Sequence, residues 1–252
     1  MKMTTVKICC ARIAVTILSI LSLHGCATVN PNAPPDVMFK EGEQMFQNGD
    51  YSDAIAQWKK VKESYQSQEL TTRAEMNIAD AYFLNKDYIE AAAAYEDFRK
   101  LHPKHERAGY MLYRQGMSHF MQIHGIDTDQ TPVKNARIVF ESYQTLYPAG
   151  EHIKEVAEKT VECREKQLAY ELYVGKFYLK TGKLPAAIAR FDNALKTYYD
   201  LPQRDEALYY LGKAYLENGE KSKGREAFGK LFKDFPVSQY ISDANKSMDK
   251  FF

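Results

Sequence analysis

One register recurs along this chain at an offset of 37 residues, and it dictates the fold class before composition is considered. Gly42, Gly49, Tyr51, Ala54, Trp58 and Val61 share their spacing with Ala79, Lys86, Tyr88, Ala91, Tyr95 and Phe98, a copy closed by Pro103. Gly175, Gly182, Leu184, Ala187, Phe191 and Ala194 repeat as Gly212, Gly219, Lys221, Gly224, Phe228 and Leu231, closed by Pro236. The pattern reads as a helix, a tight turn and a second helix. Small residues at Gly42, Ala79, Gly175 and Gly212 let the two helices approach. Gly or Asn in Asn48-Gly49-Asp50, Asn85-Lys86-Asp87, Thr181-Gly182-Lys183 and Asn218-Gly219-Glu220 tolerates the left-handed backbone that ends the first helix. A single pair cannot bury its apolar face, so neighbouring pairs must stack into a solenoid.

A middle copy is stretched. Gly116 opens it, and Ala136, Phe140, Tyr143 and Pro148 finish it, but its inter-helix loop, within Gln122 to Pro132, carries eight extra residues. Polar residues, Gly125 and Pro132 keep either helix from continuing through that loop. After Pro148, Gly175 arrives 14 residues later than the register demands. Fourteen residues are about four helical turns, so residues Glu151 to Lys180 read as one continuous helix of roughly 45 Å. Val237 to Phe252 reads as a closing helix over the last pair.

The N-terminus has a different logic. Lys2, Lys7 and Arg12 precede an apolar run from Ile13 to Leu23, then Leu23-His24-Gly25-Cys26. The run is about half the ~20 apolar residues needed to cross a bilayer, so it reads as the core of a signal peptide. Small Gly25 before Cys26 fits cleavage at a lipidated cysteine; the alternative is an ordinary signal peptide whose cysteine is incidental. Residues 1–25 are then the signal. Residues 26–35 follow as a tether in which Pro31, Pro34 and Pro35 favour an extended chain, roughly 30 Å at full stretch.

Removing the signal takes three of the 34 basic residues and none of the 33 acidic ones, leaving 31 against 33. A near-neutral chain does not fit an electrostatic nucleic-acid binder. Cys9 and Cys10 leave with the signal and Cys26 is lipidated, so Cys163 stands without a disulfide partner and reads as a small packing residue on the long helix. Stability must come from packing, for which 18 Tyr and 13 Phe supply the area. Enzyme signatures are missing. Gly219 to Gly224 has phosphate-loop spacing, but Arg225 and Glu226 stand where lysine and a hydroxyl residue are required. His102, His105, His119 and His124 lack the His-Glu-x-x-His arrangement of a zinc protease.

The register resembles the tetratricopeptide repeat, and five copies behind a lipidation signal are similar to the BamD (YfiO, ComL) family of outer-membrane protein assembly lipoproteins. Three segments carry the likeness beyond the generic repeat. They are Asp127-Thr128-Asp129-Gln130-Thr131-Pro132, the run from Leu168 to Tyr178, and Ala186-Ala187-Ile188-Ala189-Arg190-Phe191. The likeness covers Cys26 to about residue 240. Tyr199 departs from it where a proline often ends the fourth repeat, as do Lys221 and Gly224, which replace an aromatic residue and an alanine and put the packing of the last repeat in doubt. The resemblance implies an all-α fold, a right-handed superhelical solenoid of five tetratricopeptide-like pairs plus a C-terminal capping helix. It implies a scaffold and not an enzyme, anchored in the outer membrane and facing the periplasm. The implied partners are the POTRA region of BamA, other lipoproteins of that machinery and unfolded β-barrel proteins. No cofactor is implied beyond N-palmitoyl and S-diacylglycerol groups on Cys26. Ala27 after the cysteine, where aspartate would retain the protein in the inner membrane, agrees with outer-membrane sorting. A different periplasmic repeat adaptor, serving pilus secretin assembly or cell-wall synthesis, is the alternative.

Projecting first helices inward gives two candidate surfaces. Residues 36–148, repeats one to three, form the expected substrate-binding block. Phe39, Glu43, Phe46, Met76, Asp80, Phe83, Tyr113, Met117 and Phe120 line its groove, apolar and methionine-bearing enough to repack around an extended peptide with a terminal aromatic residue. The same residues also fit a plain core between adjacent helices, since helix faces in solenoids serve both roles. Residues 149–252 form the expected partner-binding block, with Lys176, Lys180, Arg204, Tyr209 and Lys213 suited to an acidic patch or, equally, to a solvated face.

Overall fold

A computed structural model describes residues 33–251, and the signal and tether readings, Cys26 included, lie outside them. Residues Pro34–Phe252 form one compact unit. The helices are α1 (Pro35–Asn48), α2 (Tyr51–Ser64), α3 (Gln68–Leu84), α4 (Tyr88–Leu101), α5 (Ala108–Met121), α6 (Thr131–Leu146), α7 (Ile153–Lys180), α8 (Leu184–Thr197), α9 (Arg204–Glu217), α10 (Lys221–Asp234) and α11 (Ile241–Phe251). Consecutive helices pack as antiparallel pairs, five in all, and α11 closes the array over α9 and α10. Among the described residues there is no strand. The chain is thus the helical solenoid its periodicity requires.

Four of the five pairs are pinned by one contact of the same kind. A Cβ added at Gly42 would lie 2.5 Å from Trp58 Nε1, one at Gly116 2.5 Å from Phe140 Cε1, one at Gly175 2.5 Å from Phe191 Cε1, and one at Gly212 2.6 Å from Phe228 Cε1. Glycine in the first helix is therefore the seat for the aromatic ring of the second. The ring is buried without residue in each case, with Trp58 1 % exposed and Phe140, Phe191 and Phe228 fully covered. Turns fall where the register puts them: Gly49, Gly182 and Gly219 take φ of 87°, 73° and 82°, and Lys86 adopts 66° at the equivalent site. Gly224 is also explained. Leu216 occupies the space its side chain would need, 2.6 Å from the added Cβ, so the last repeat packs tightly without the alanine.

Two boundaries differ from the expectation. The long helix starts at Ile153, two residues late, because Tyr147 to His152 form the turn out of α6. The closing helix spans Ile241–Phe251 and not 237–252, since Phe235 O accepts from Ser238 N and holds a turn before it.

The stretched third pair and the long helix belong together. The first half of α7 covers α5 and α6 through Val156 and Cys163, in one cluster with Tyr113, Phe140 and Tyr143. Its second half starts a new pair with α8 through Leu168, Leu172 and Leu179 against Ala187 and Phe191. One helix about 42 Å long thus serves two pairs in turn. Cys163 is fully buried there, and burial pushes its thiol up to about 12.

Candidate functional site

The groove residues of α1, α3 and α5 form a row, and each rung is capped by a cation from the next first helix. The Arg73 guanidinium sits 4.5 Å above the Phe39 ring and donates to Glu43 at 3.3 Å. Arg114 lies 3.7 Å above Phe83. Lys159, from the first half of α7, is 4.3 Å above Phe120. A cation held over an aromatic face is worth about 0.5–2 kcal/mol, the larger value when water is excluded. The inner row is therefore polar at its cap and aromatic beneath.

The middle rung is the most built. Asp80 accepts from Tyr95 Oη at 2.5 Å and Tyr110 Oη at 3.1 Å, while Arg114 Nε donates to Tyr95 Oη at 3.1 Å. Burial first, then the Asp80 carboxylate, raises both tyrosines above the ordinary phenol range. Both stay protonated donors, so Asp80 is fixed as an acceptor and Arg114 is held over Phe83. In the third rung Tyr113 stacks on His152, ring centroids 3.9 Å apart, and donates to Glu155 at 2.9 Å. Burial and that carboxylate push its hydroxyl up to about 12.

The nine candidate groove residues divide by exposure. Phe39 and Tyr113 are core, 2 % and 9 % exposed. Met76 packs on the Tyr95, Phe98 and Met111 cluster, and Met117 and Phe120 pack on that of Val156 and Cys163. These three, with Glu43, Phe46, Asp80 and Phe83, keep partial exposure, Phe83 on the same cluster as Met76 and Phe46 against Trp58 and Tyr51. Arg73, Arg114 and Lys159 were not read from the sequence. Each reaches a ring on the previous first helix, a relation between helices that periodicity along one helix does not contain.

The C-terminal candidates differ in burial and in partners. Lys176 pairs with Glu206 at 2.7 Å beside the Tyr210 ring, and Lys213 lies 4.0 Å from Glu217. Tyr209 is 9 % exposed and stacked on Tyr240, centroids 5.1 Å apart, beneath the cap. Arg204 lies near the Phe235 ring, its Nε buried and without a hydrogen-bond partner. Lys180 is exposed at the end of α7. Among the described residues no cluster of His, Cys, Asp and Glu has the arrangement to hold a metal ion, and no helix is long and apolar enough to cross a membrane.

A family model described as an outer membrane lipoprotein, YfiO, matches residues 31–228. Outer membrane protein assembly factor BamD of Caulobacter vibrioides is 25% identical over 248 residues, covering 94% of this chain and 81% of its own. The protein of the same name from Rickettsia prowazekii is 27% identical, covering 89% and 91%. Among solved structures, the TPR2AB domain of yeast Sti1 in its pHSP90 complex aligns over 86% of this chain and 97% of that one, at 12% identity and a TM-score of 0.43, too low to carry anything further.

Proposed function

Since the chain belongs to the YfiO family of outer membrane lipoproteins, we propose that it is an outer-membrane protein assembly factor, a non-catalytic scaffold that receives unfolded β-barrel chains and delivers them to BamA. The match from residue 31 to residue 228 carries the reading, because it takes in four helix pairs and most of the fifth and not a single generic repeat. The inner row of α1, α3 and α5 gives it a substrate surface. A peptide ending in an aromatic residue finds Phe46 and Phe83 partly exposed, with Arg114 over Phe83 and Arg73 over Phe39 as donors for a carboxylate. Lys176, Lys180 and Lys213 belong to the surface offered to the POTRA region of BamA. A lipid on Cys26 and the following tether hold the scaffold on the periplasmic side of the outer membrane.

Depletion tests the reading directly: folded outer-membrane barrels should fall while inner-membrane proteins hold steady, and unchanged barrel levels refute it. Affinity capture from detergent-solubilised membranes should recover BamA. Recovery of a secretin or a cell-wall synthase without BamA would make the protein an adaptor for that system instead. Arg114→Ala should weaken binding of a peptide with a C-terminal phenylalanine by about 3- to 30-fold, the loss of a charge-assisted contact together with its cation–ring support.

A further inference from the structure

In stacked helix pairs, the first helix of each pair lays one face on the pair before it. In α3 that face is Ala74, Ile78 and Ala81, and in α9 it is Ala207, Leu211 and Ala214, none more than 5 % exposed. The first half of α7 obeys the same rule, with Val156, Thr160 and Cys163 buried toward α6. In the fourth pair the equivalent residues are Tyr170, Val174 and Phe177. They lie on the second half of α7, one to three turns beyond the half that α6 covers. Phe177 is 55 % exposed and Tyr173 beside it 44 %. The long loop of the third pair reaches only the near end, where Ile126 shares a cleft of about 400 Å³ with Ala169 and Tyr173.

The chain treats its other uncovered face differently. In α1, which has no pair before it among the described residues, the same three positions are Val37, Glu41 and Gln44, two of them polar. A face left to water is made polar there, whereas on α7 it is kept aromatic, the composition of an interface core. Lysines bracket the stripe. Lys166 and Lys180 stand about 21 Å apart along the helix, one at each end. Glu162 lies 3.5 Å from Lys166 but is held more closely by Lys159, at 2.9 Å, and Glu171 is spent on Arg190 at 3.1 Å.

We propose that the Tyr170, Tyr173, Val174 and Phe177 stripe is the docking surface for an amphipathic helix of another protein, one whose apolar face is flanked by an acidic side chain toward each end. A helix is the occupant because helices α2, α4, α6 and α8 fill the corresponding place on α3, α5, the first half of α7 and α9. Acidic flanks follow from Lys166 and Lys180. The inference uses packing and charge alone and stands whether or not the assembly reading does.

The test is labelling in membranes isolated from the producing cell. Tyr173→Cys and Phe177→Cys, each leaving the other aromatic in place, should react with a maleimide at least tenfold more slowly in the membranes than after purification. Ile138→Cys, on the exposed side of α6, should react equally in both, and the parent protein sets the background. A zero-length carbodiimide should then join Lys166 or Lys180 to an aspartate or glutamate in a helical segment of a different protein, and Lys166→Gln with Lys180→Gln should abolish that product. Equal labelling in the two states overturns the proposal. So does protection reproduced by lipid vesicles alone, or protection without a lysine-linked product. Linkage to a second copy of this chain or to an extended segment overturns it as well.

Discussion

At Gly175 the whole pair depends on the absence of one methyl group. An alanine there would bring Cβ to 2.5 Å from the Phe191 ring, which is fully buried and has no room to move. Gly175→Ala should cost about 1–3 kcal/mol in urea unfolding, the range for overpacking a core. Gly182, seven residues on, has nothing within 4 Å of an added Cβ but a φ of 73°. Its alanine variant should cost about 1 kcal/mol, for backbone reasons only. Lys86 tests the same physics in reverse, since it bears a side chain at φ 66° in the equivalent turn. Lys86→Gly should raise the midpoint, a gain of about 0.5–1 kcal/mol. A loss there would show that its side chain contributes more than the left-handed backbone costs.

Helix α7 is the element on which the array turns, because its two halves belong to different clusters. Inserting one alanine between Lys166 and Gln167 rotates the second half by about 100° relative to the first. The contacts of Val156 and Cys163 and those of Leu168 and Leu172 then cannot both be kept. The single tryptophan, Trp58, reports the first pair, while far-ultraviolet dichroism reports every helix. In the parent the two transitions should coincide; in the insertion variant the dichroism should begin to fall before the fluorescence. Coincident curves would mean that the halves are not energetically joined. The shared helix was legible beforehand, because 14 extra residues without a glycine or proline have no alternative but helix. The pairing of Gly175 with Phe191 was equally legible, since small and large residues recur at a constant spacing. The accessible part of the groove was not. Phe39 and Met76 stand 37 residues apart in the register, yet Phe39 is sealed by Trp58 and Arg73 whereas Met76 keeps part of its surface, a difference fixed by neighbours on other helices. Exposure of Phe177 escaped for a related reason: the register records a face for a preceding pair and cannot record that the pair has shifted by four turns.

Across the whole molecule, protons are held where burial opposes charge. Tyr95, Tyr113 and Tyr240 are raised above the ordinary phenol value and Cys163 above the ordinary thiol, in each case with burial as the leading cause. For a neutral acid whose pKa is higher folded than unfolded, the folded state holds the proton that the unfolded chain releases. The resulting stability is complete below the unfolded values, 9.0 for the thiol and 10.0 for the phenols, and is lost as pH rises toward the folded ones. The urea midpoint should therefore show no decline from these groups between pH 7 and 8.5 and should fall steadily from pH 9 to 11.5. The clusters of Tyr95, of Cys163 and of Tyr240 lie in the second, third and last parts of the array, so the loss should be shared along it and the transition should stay cooperative. Cys163→Ala removes one contributor and leaves a small void. It should lower the midpoint at pH 7 and flatten the alkaline slope, and a slope unchanged from the parent would show that the thiol titrates alike in the folded and unfolded states.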